Sequence, residues 1–244
     1  MQQLVAKPQD KGCLRRAICA GVAVFLTNGA VWGCDIALAL AVDVSGSVDA
    51  GEYRLQMQGL ADGLRDATVA SALVAADARV LVVQWTGDSR QMVAVPWVRV
   101  DSFAAAEALA VAVETAPRGW RNFSTAIGAA LKFTAAQFGA VTGCARRVID
   151  VSGDGASNEG IDPASLRHGL RAGGFTVNGL AIEGSEPDLT AYYRAHVMVG
   201  DKGFVMTANG FADYPARIRL KLLREVSQQV SMRAPAARVQ LAAQ

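Results

Sequence analysis

Two short polar motifs in the sequence could bind a metal ion. Asp43, Ser45 and Ser47 stand at alternate positions after one apolar segment. A second apolar segment is followed by SGDG, which contains Asp154. Carboxylates and hydroxyls offer only oxygen ligands, which suit a hard cation such as Mg²⁺, Mn²⁺ or Ca²⁺ better than zinc or copper. The same residue types also cap helices and form turns, so the alternative is that each motif only ends a strand.

The segments around these motifs predict the scaffold that would hold them. From residue 35 onward, short apolar runs alternate with helical stretches, which is the pattern of a mostly parallel sheet covered on both faces. The run 35–44 is almost continuously apolar, as expected of a central strand, and the run 146–153 predicts a second buried strand. The runs 79–87 and 91–98 flank GDSR and predict an antiparallel hairpin. We therefore expect an α/β, Rossmann-like domain with a doubly wound, six-stranded, mostly parallel sheet and one antiparallel edge strand.

The predicted helices place both motifs at one edge of that sheet. Asp49 and Glu52 have the spacing of a capping box, so the first helix should begin there. Further helices are predicted near 101–113 and 124–139. In open α/β sheets, ligands bind beyond the carboxyl ends of the strands, which is where both polar motifs fall.

Residues 1–33 are typical of a secretory signal peptide. Basic residues precede the apolar run 17–26, and small residues follow it. The run is well short of the ~20 residues that span a bilayer, so we expect no integral membrane segment in the mature chain. The prediction is an exported protein, periplasmic or secreted, with a folded domain at 34–232 and a loose tail at 233–244.

Composition and charge restrict the possible partners. The 244-residue chain is 52% hydrophobic and 19% charged, which excludes a disordered protein. Residues 1–33 hold four basic residues and one acidic residue, so their removal changes the formal net charge from +2 to −1. This charge gives no support for a nucleic-acid partner.

Three segments resemble the motifs of a von Willebrand factor type A domain. They are AVDVSGSVD after the first strand, STAIGAAL at the start of a helix, and VIDVSGDG at another buried strand. The likeness covers residues 35–232, and the segments VNGLAI, AYYRAHV and KLLREV resemble a secreted bacterial subfamily, domain of unknown function 1194. The resemblance implies a metal-ion-dependent adhesion site (MIDAS), with Ser124 as an alternative to Thr125. Its ligands would be Asp43, Ser45, Ser47, Thr125 and Asp154.

The resemblance also implies a function in recognition. In this family the hydroxyls contact the ion, the aspartates often act through water, and a partner's acidic side chain completes the coordination. We therefore expect a protein-binding module that uses Mg²⁺, or Mn²⁺ or Ca²⁺, and is not an enzyme. Candidates for the partner-binding rim are Trp120, Arg121, Phe123, Asn158 and Glu159. Aromatic residues and arginine are enriched among the residues that anchor binding partners. The alternative for Trp120 is packing in the core, and the alternative for Asn158 and Glu159 is capping or solvation of a loop.

Two cysteines, Cys34 and Cys144, lie outside the predicted signal peptide. In the implied topology their strands are parallel neighbours, and strands so paired are ~4.8 Å apart. An oxidising periplasm would then favour a Cys34–Cys144 disulfide. One alternative is two free buried thiols. The other is a lipid on Cys34, but Trp32 fits a lipidation motif poorly, and a strand begins directly after the cysteine.

Two alternative functions remain. The segment GDGASNE resembles the terminal loop of haloacid-dehalogenase-type phosphohydrolases, and Asp43 would stand at the position of their nucleophile. Those enzymes carry a second aspartate two residues later as acid and base, but Ser45 stands at that position here. The other alternative is a von Willebrand-type scaffold that binds its partner without a metal.

Overall fold

A computed structural model describes residues 33–184 and 186–227. The predicted signal peptide, apart from Gly33, and the predicted tail 233–244 lie outside these residues. The strands are β1 (Cys34–Asp43), β2 (Ala78–Trp85), β3 (Gln91–Val100), β4 (Cys144–Gly153), β5 (Phe175–Glu183) and β6 (Val205–Asn209). They form one six-stranded sheet in the order β3-β2-β1-β4-β5-β6. Among these six strands, β2 and β3 alone pair in antiparallel fashion, which confirms the predicted fold class.

Helices connect these strands on both faces of the sheet. They are α1 (Ala50–Arg65), α2 (Ala67–Ala75), α3 (Phe103–Glu114), α4 (Ile127–Gln137), α5 (Pro163–Ala172), α6 (Leu189–Tyr192) and α7 (Tyr214–Ser227). A 3-10 turn at Phe138–Ala140 follows α4, and a π-helical turn at Tyr193–Val197 follows α6. Among the helices in the described part of the chain, none combines the length and the apolar character that crossing a membrane requires.

The start of α1 confirms the predicted capping box. The Asp49 carboxylate accepts hydrogen bonds from the backbone N–H groups of Gly51 and Glu52, at 2.6 and 2.8 Å. The Glu52 carboxylate accepts one in return from the Asp49 N–H, at 2.8 Å. Two N–H groups that lack partners within the helix are thereby satisfied.

Two helix boundaries differ from the sequence-based expectation. The helical stretch after β1 breaks at Asp66, whose carboxylate caps α2 and accepts a hydrogen bond from Arg219 at 2.7 Å. The helix expected to begin at residue 124 begins only at Ile127. The preceding backbone is not helical: Ala126 has φ −119° and ψ 73°, and its N–H donates to Thr86 O at 3.1 Å.

Strand β1 lies at the centre of the sheet, and all ten of its residues are buried. The larger side chains, of Ile36, Leu38, Leu40 and Val42, face the layer formed by α1, α2, α3 and α7. The alanines at 37, 39 and 41 face the layer formed by α4, α5 and α6. Burial of apolar surface on both faces, worth about 25 cal/mol per Å², holds β1 in the sheet and so fixes the position of Asp43, its last residue.

Cys34 and Cys144 lie opposite each other at the amino-terminal ends of β1 and β4. Their Cα atoms are 4.4 Å apart, and the structure joins their sulfurs in a disulfide. The link closes a segment with a sequence separation of 110 residues at the edge of the sheet opposite Asp43.

Replacing both cysteines with alanine is expected to lower the free energy of unfolding by about 3 kcal/mol, because a cross-link reduces the conformational freedom of the unfolded chain. Urea unfolding of the double variant and the wild type measures the difference. A reducing agent should bring the wild type to the value of the variant and leave the variant unchanged. Equal stability of the two oxidised proteins would contradict the disulfide.

Three charged side chains are buried together between β4 and α7. Asp150, Lys221 and Glu225 are at most 2% exposed. Lys221 Nζ forms an ion pair with Asp150 Oδ1 and lies 2.7 Å from Glu225 Oε1, which also accepts a hydrogen bond from Asn178 at 2.9 Å. Burial raises the pKa of the Asp150 carboxyl, and burial together with the charge of Asp150 raises the pKa of Glu225 to about 7. One ammonium group therefore stabilises two carboxylates in the core.

Candidate metal centre

The five predicted metal ligands lie at the carboxyl edge of the sheet. Asp43 is the last residue of β1, and the other four lie on three loops. Loop 1 comprises residues 44–49, between β1 and α1. Loop 2 comprises residues 115–126, between α3 and α4, and loop 3 comprises residues 154–162, between β4 and α5.

Backbone hydrogen bonds join the three loops to one another. Gly46 N–H on loop 1 donates to Phe123 O on loop 2 at 2.7 Å. Asn158 N–H on loop 3 donates to Thr125 O on loop 2 at 2.8 Å. The loops are therefore held together by the protein itself, and an ion would meet a site that is already assembled.

Polar contacts connect the side chains of loop 1 with that of Asp154. Ser45 N–H donates to Asp43 Oδ1 at 2.7 Å, and the hydroxyls of Ser45 and Ser47 lie 3.1 Å apart. Ser47 Oγ in turn donates to Asp154 Oδ1 at 2.7 Å. Asp43, Ser45 and Asp154 are buried, whereas Ser47 is exposed. The site is thus buried at the Asp43 end and open to solvent at Ser47.

Loop 2 places Thr125, rather than Ser124, against loop 3. Thr125 is 5% exposed, and a Cβ atom added to Gly155 of loop 3 would lie 3.5 Å from Thr125 Oγ1. Ser124 is exposed, and its carbonyl accepts a hydrogen bond from Thr86 Oγ1 at 2.9 Å. The Thr125 hydroxyl is therefore better placed than that of Ser124 to act as a metal ligand.

Thr125→Ala is expected to weaken Mn²⁺ binding at least tenfold, a loss of about 1.4 kcal/mol or more, because it removes a hydroxyl from the buried side of the site. The matched variant Ser124→Ala removes a hydroxyl from the adjacent, exposed position and should leave the affinity unchanged. Isothermal titration calorimetry with Mn²⁺ measures both. A larger loss in Ser124→Ala would assign the ligand to Ser124.

Electrostatics at the site favour a cation. Burial, followed by the negative charge of Asp154, raises the pKa of Asp43 to about 7. Burial also raises the pKa of Asp154, against the effect of its hydrogen bond from Ser47. Two buried carboxylates at close range repel each other when both are ionised, and a nearby cation would relieve that repulsion.

The donor set fits a hard divalent ion. Asp43 Oδ2 is buried and has no hydrogen-bond partner, although buried carboxylate oxygens normally require a donor or an ion. Within residues 33–184 and 186–227, no group of three or more His, Cys, Asp or Glu side chains is arranged to hold a metal. Hydroxyl oxygens would therefore have to supply part of the coordination, which suits Mg²⁺-like ions.

The rim candidates on loop 2 have different environments. Trp120 is half-buried and packs against the hydrophobic core beneath the loop. Arg121 and Phe123 are exposed, and the guanidinium group of Arg90 stacks 3.8 Å from the centre of the Phe123 ring. Of the three candidates on loop 2, Arg121 and Phe123 are therefore the exposed ones.

Asn158 and Glu159 on loop 3 are exposed, but both support neighbouring segments. Asn158 Oδ1 accepts a hydrogen bond from Thr125 N–H at 3.0 Å. Glu159 Oε2 accepts one from Asp88 N–H at 3.1 Å, on the turn between β2 and β3. Their carboxamide and carboxylate groups thus fix loops around the site.

Arg118 was not identified from the sequence, yet it organises loop 1. Its Nη2 donates to the carbonyl oxygens of Val44, Ser45 and Val48, at 3.1, 2.9 and 2.7 Å. In the segment PRGWRNF, nothing local distinguishes Arg118 from Arg121. The one available signal was a basic residue in a loop already predicted to lie near the site.

A comparison with family models supports the family that the sequence resembles. The family described as protein of unknown function (DUF1194) matches residues 33–230. A search of curated proteins found no match to the chain.

Several solved structures have a similar fold. Proximal thread matrix protein 1 from the mussel byssus gives a TM-score of 0.60 at 21% identity, over 80% of this chain and 48% of that one. A further structure of the mussel protein, with TM-score 0.58 and 22% identity, has a zinc-occupied MIDAS motif. The von Willebrand factor type A protein from Catenulispora acidiphila gives 0.54 at 21% identity, over 78% of this chain and 42% of that one.

The pilus adhesin SpaC from Lactobacillus rhamnosus GG gives a TM-score of 0.58 at 14% identity, over 80% of this chain and 30% of that one. The chain spans about half or less of the length of these proteins. At these sequence identities, the likeness shows a shared fold alone. From the family match and this fold, we conclude that the chain belongs to the DUF1194 family and has a von Willebrand factor type A fold.

Proposed function

We propose that the protein is an exported protein-binding module that holds a divalent metal ion, with Mg²⁺ as the first candidate and Mn²⁺ or Ca²⁺ as alternatives. The observation that carries the proposal is the pair of buried carboxylates, Asp43 and Asp154, connected through the backbone N–H and hydroxyl of Ser45 and the hydroxyl of Ser47. The ligands would be Asp43, Ser45, Ser47, Thr125 and Asp154. The zinc-occupied MIDAS motif of the mussel protein supports metal binding on this fold.

A partner's carboxylate would complete the site. Three of the five proposed ligands are neutral hydroxyls. If the two aspartates act through water, as the family resemblance implies, the groups in direct contact with the ion would carry little negative charge. Such an ion attracts an acidic side chain, so the bound ion would supply the attraction for a carboxylate of the partner. Ser47, Arg121 and Phe123 are exposed at this edge and would meet the partner first.

Export is part of the same proposal. Residues 1–33 would direct the chain to the periplasm or the exterior, where a Cys34–Cys144 disulfide is stable. One sulfur cannot carry both a disulfide and a lipid, so the bonded arrangement favours a protein without a lipid on Cys34. The pilus adhesin with a similar fold supports a protein ligand for this module and a role outside the cell.

The test is metal-dependent capture of a partner by the purified full chain. The immobilised wild type and Asp43→Asn would each be exposed to the exported proteins of the source organism, in Mg²⁺ or in EDTA. We expect the wild type to capture a protein only with Mg²⁺, and the variant to capture none. Converting the partner's carboxyl groups to amides with carbodiimide and glycinamide should also abolish capture.

Two other results would replace this function. Capture that persists in EDTA and in Asp43→Asn would indicate a metal-independent scaffold. Hydrolysis of p-nitrophenyl phosphate by the wild type but not by Asp43→Asn would indicate a phosphohydrolase, with Asp43 as its nucleophile.

A further inference from the structure

Tyr193 is a buried residue next to the candidate metal centre. It lies at the start of the π-helical turn that follows α6, and its exposed fraction is 0%. Its hydroxyl has no hydrogen-bond partner. A buried hydroxyl without a partner is unfavourable by roughly 1–3 kcal/mol, so a leucine or phenylalanine would suit a purely structural role better.

Two glycines make room for the Tyr193 ring along the face of the sheet. A Cβ atom on Gly179, in β5, would lie 2.7 Å from Tyr193 Cδ1. A Cβ atom on Gly153, the last residue of β4, would lie 2.8 Å from the Tyr193 hydroxyl oxygen. The ring therefore runs along β4 and β5, and its hydroxyl points to the carboxyl edge of the sheet.

The same glycine separates this hydroxyl from Asp43. A Cβ atom on Gly153 would lie 2.7 Å from Asp43 Oδ2, the buried carboxylate oxygen that has no hydrogen-bond partner. Two polar atoms without partners thus lie 2.7 and 2.8 Å from the same point, so they are no more than about 5.5 Å apart. Two successive hydrogen bonds of about 2.8 Å span about 5.6 Å, so one water molecule is sufficient to connect them.

We propose that Tyr193 is a positioning residue of the metal centre, whose hydroxyl holds Asp43 Oδ2 through one bridging water molecule. The inference rests on the proposed function. Burial, with the charges of Asp43 and Asp154, raises the pKa of Tyr193 well above its ordinary value, so the hydroxyl remains a donor. Asp43 Oδ1 is already fixed by Ser45 N–H, and a second restraint on Oδ2 gives the carboxylate a single orientation toward the ion.

The test separates metal affinity from folding stability. The variant Tyr193→Phe removes only the hydroxyl, and Tyr214→Phe makes the same change in a fully buried tyrosine of the opposite helical layer. The dissociation constant for Mn²⁺ would be measured on the purified full chain from the electron paramagnetic resonance signal of free Mn²⁺. The midpoint of thermal unfolding would be measured in EDTA.

We expect Tyr193→Phe to raise the dissociation constant for Mn²⁺ by about 10- to 100-fold, the usual effect of losing a group that orients a metal ligand. Tyr214→Phe should change it less than twofold, and the two variants should unfold at similar temperatures in EDTA. A Tyr193→Phe variant that binds Mn²⁺ as the wild type does would overturn this inference and leave the proposed function intact. A wild type that binds no Mn²⁺ would overturn both.

Discussion

The variant Asp43→Asn is expected to be more stable than the wild type in EDTA at pH 8, and to gain no stability from Mg²⁺, whereas Mg²⁺ should stabilise the wild type. The substitution removes a carboxylate that burial holds at a pKa of about 7, against 3.8 for an ordinary aspartate, so up to about 4 kcal/mol of destabilisation disappears. Mg²⁺ at a thousand times its dissociation constant would stabilise the wild type by about 4 kcal/mol and the variant not at all. For a domain of this size, 4 kcal/mol corresponds to about 8–16 °C in the unfolding temperature.

The raised pKa of Asp43 also predicts how the stability of the metal-free protein changes with pH. An acid whose pKa is raised in the folded state binds its proton more tightly there than in the unfolded chain. The metal-free wild type should therefore lose stability as the pH rises from about 4 to 7, and Asp43→Asn should lose less over that range. The control Asp88→Asn removes an exposed carboxylate from the turn between β2 and β3 and should behave as the wild type does. Thermal unfolding that responds equally to Mg²⁺ in wild type and Asp43→Asn would remove Asp43 from the site.

The variant Lys221→Met is expected to lower the free energy of unfolding by about 3–5 kcal/mol, as measured by urea unfolding at pH 8. It leaves Asp150 and Glu225 in the core without the ammonium group that pairs with both. At pH 8 these acids must either remain charged without a partner or take up protons from solvent, and both outcomes destabilise the folded state. Methionine nearly preserves the volume of the side chain, so the loss would report charge rather than packing.

Neutralising the two acids should reverse most of that loss. The triple variant Asp150→Asn, Lys221→Met, Glu225→Gln carries no charge at these positions and is expected to regain much of the stability of the wild type. Because the pKa values of both acids are already raised, the deficit of Lys221→Met should shrink at pH 5, where more of the protein carries a proton on one of them. A deficit that is the same at pH 5 and pH 8, and remains in the triple variant, would show that the loss comes from packing.

The fold was predictable from the sequence because its signals are local. Apolar runs defined the strands, the Asp49 and Glu52 capping box defined the start of α1, and GDSR defined the hairpin between β2 and β3. The break at Asp66 was not predicted, although Asp66 caps α2 through a local hydrogen bond from Thr68 N–H. Its other partner, Arg219, lies 153 residues further along the chain and could not be identified from the local sequence.

The candidate site was predictable only in part. The polar motifs at strand ends indicated Asp43, Ser45, Ser47 and Asp154 directly. The role proposed for Tyr193 depends on glycines in the strands β4 and β5. The role of Arg118 depends on three carbonyl groups of loop 1. No local pattern encodes either arrangement.

Lys221 and Glu225 illustrate the same limit in the core. Four residues apart in KLLREV, they are typical of a solvent-exposed helical ion pair. Asp150 within the apolar strand β4 was the one sign that a charge is buried, but its partner could not be identified without the packing of α7 against the sheet.

The disulfide and the metal centre lie at opposite ends of the same two strands, which has a mechanical consequence. β1 and β4 are paired in parallel from Cys34 and Cys144 at one end to Val42 and Ser152 at the other. Tension between a partner held at Asp43 and an attachment near Cys34 would act along β1, so the hydrogen bonds of the ladder would be sheared together rather than opened one after another. The covalent link would pass part of that tension to β4. A domain built in this way would resist unfolding by a force along β1 better than it would resist a force that peels the edge strand β6 from the sheet.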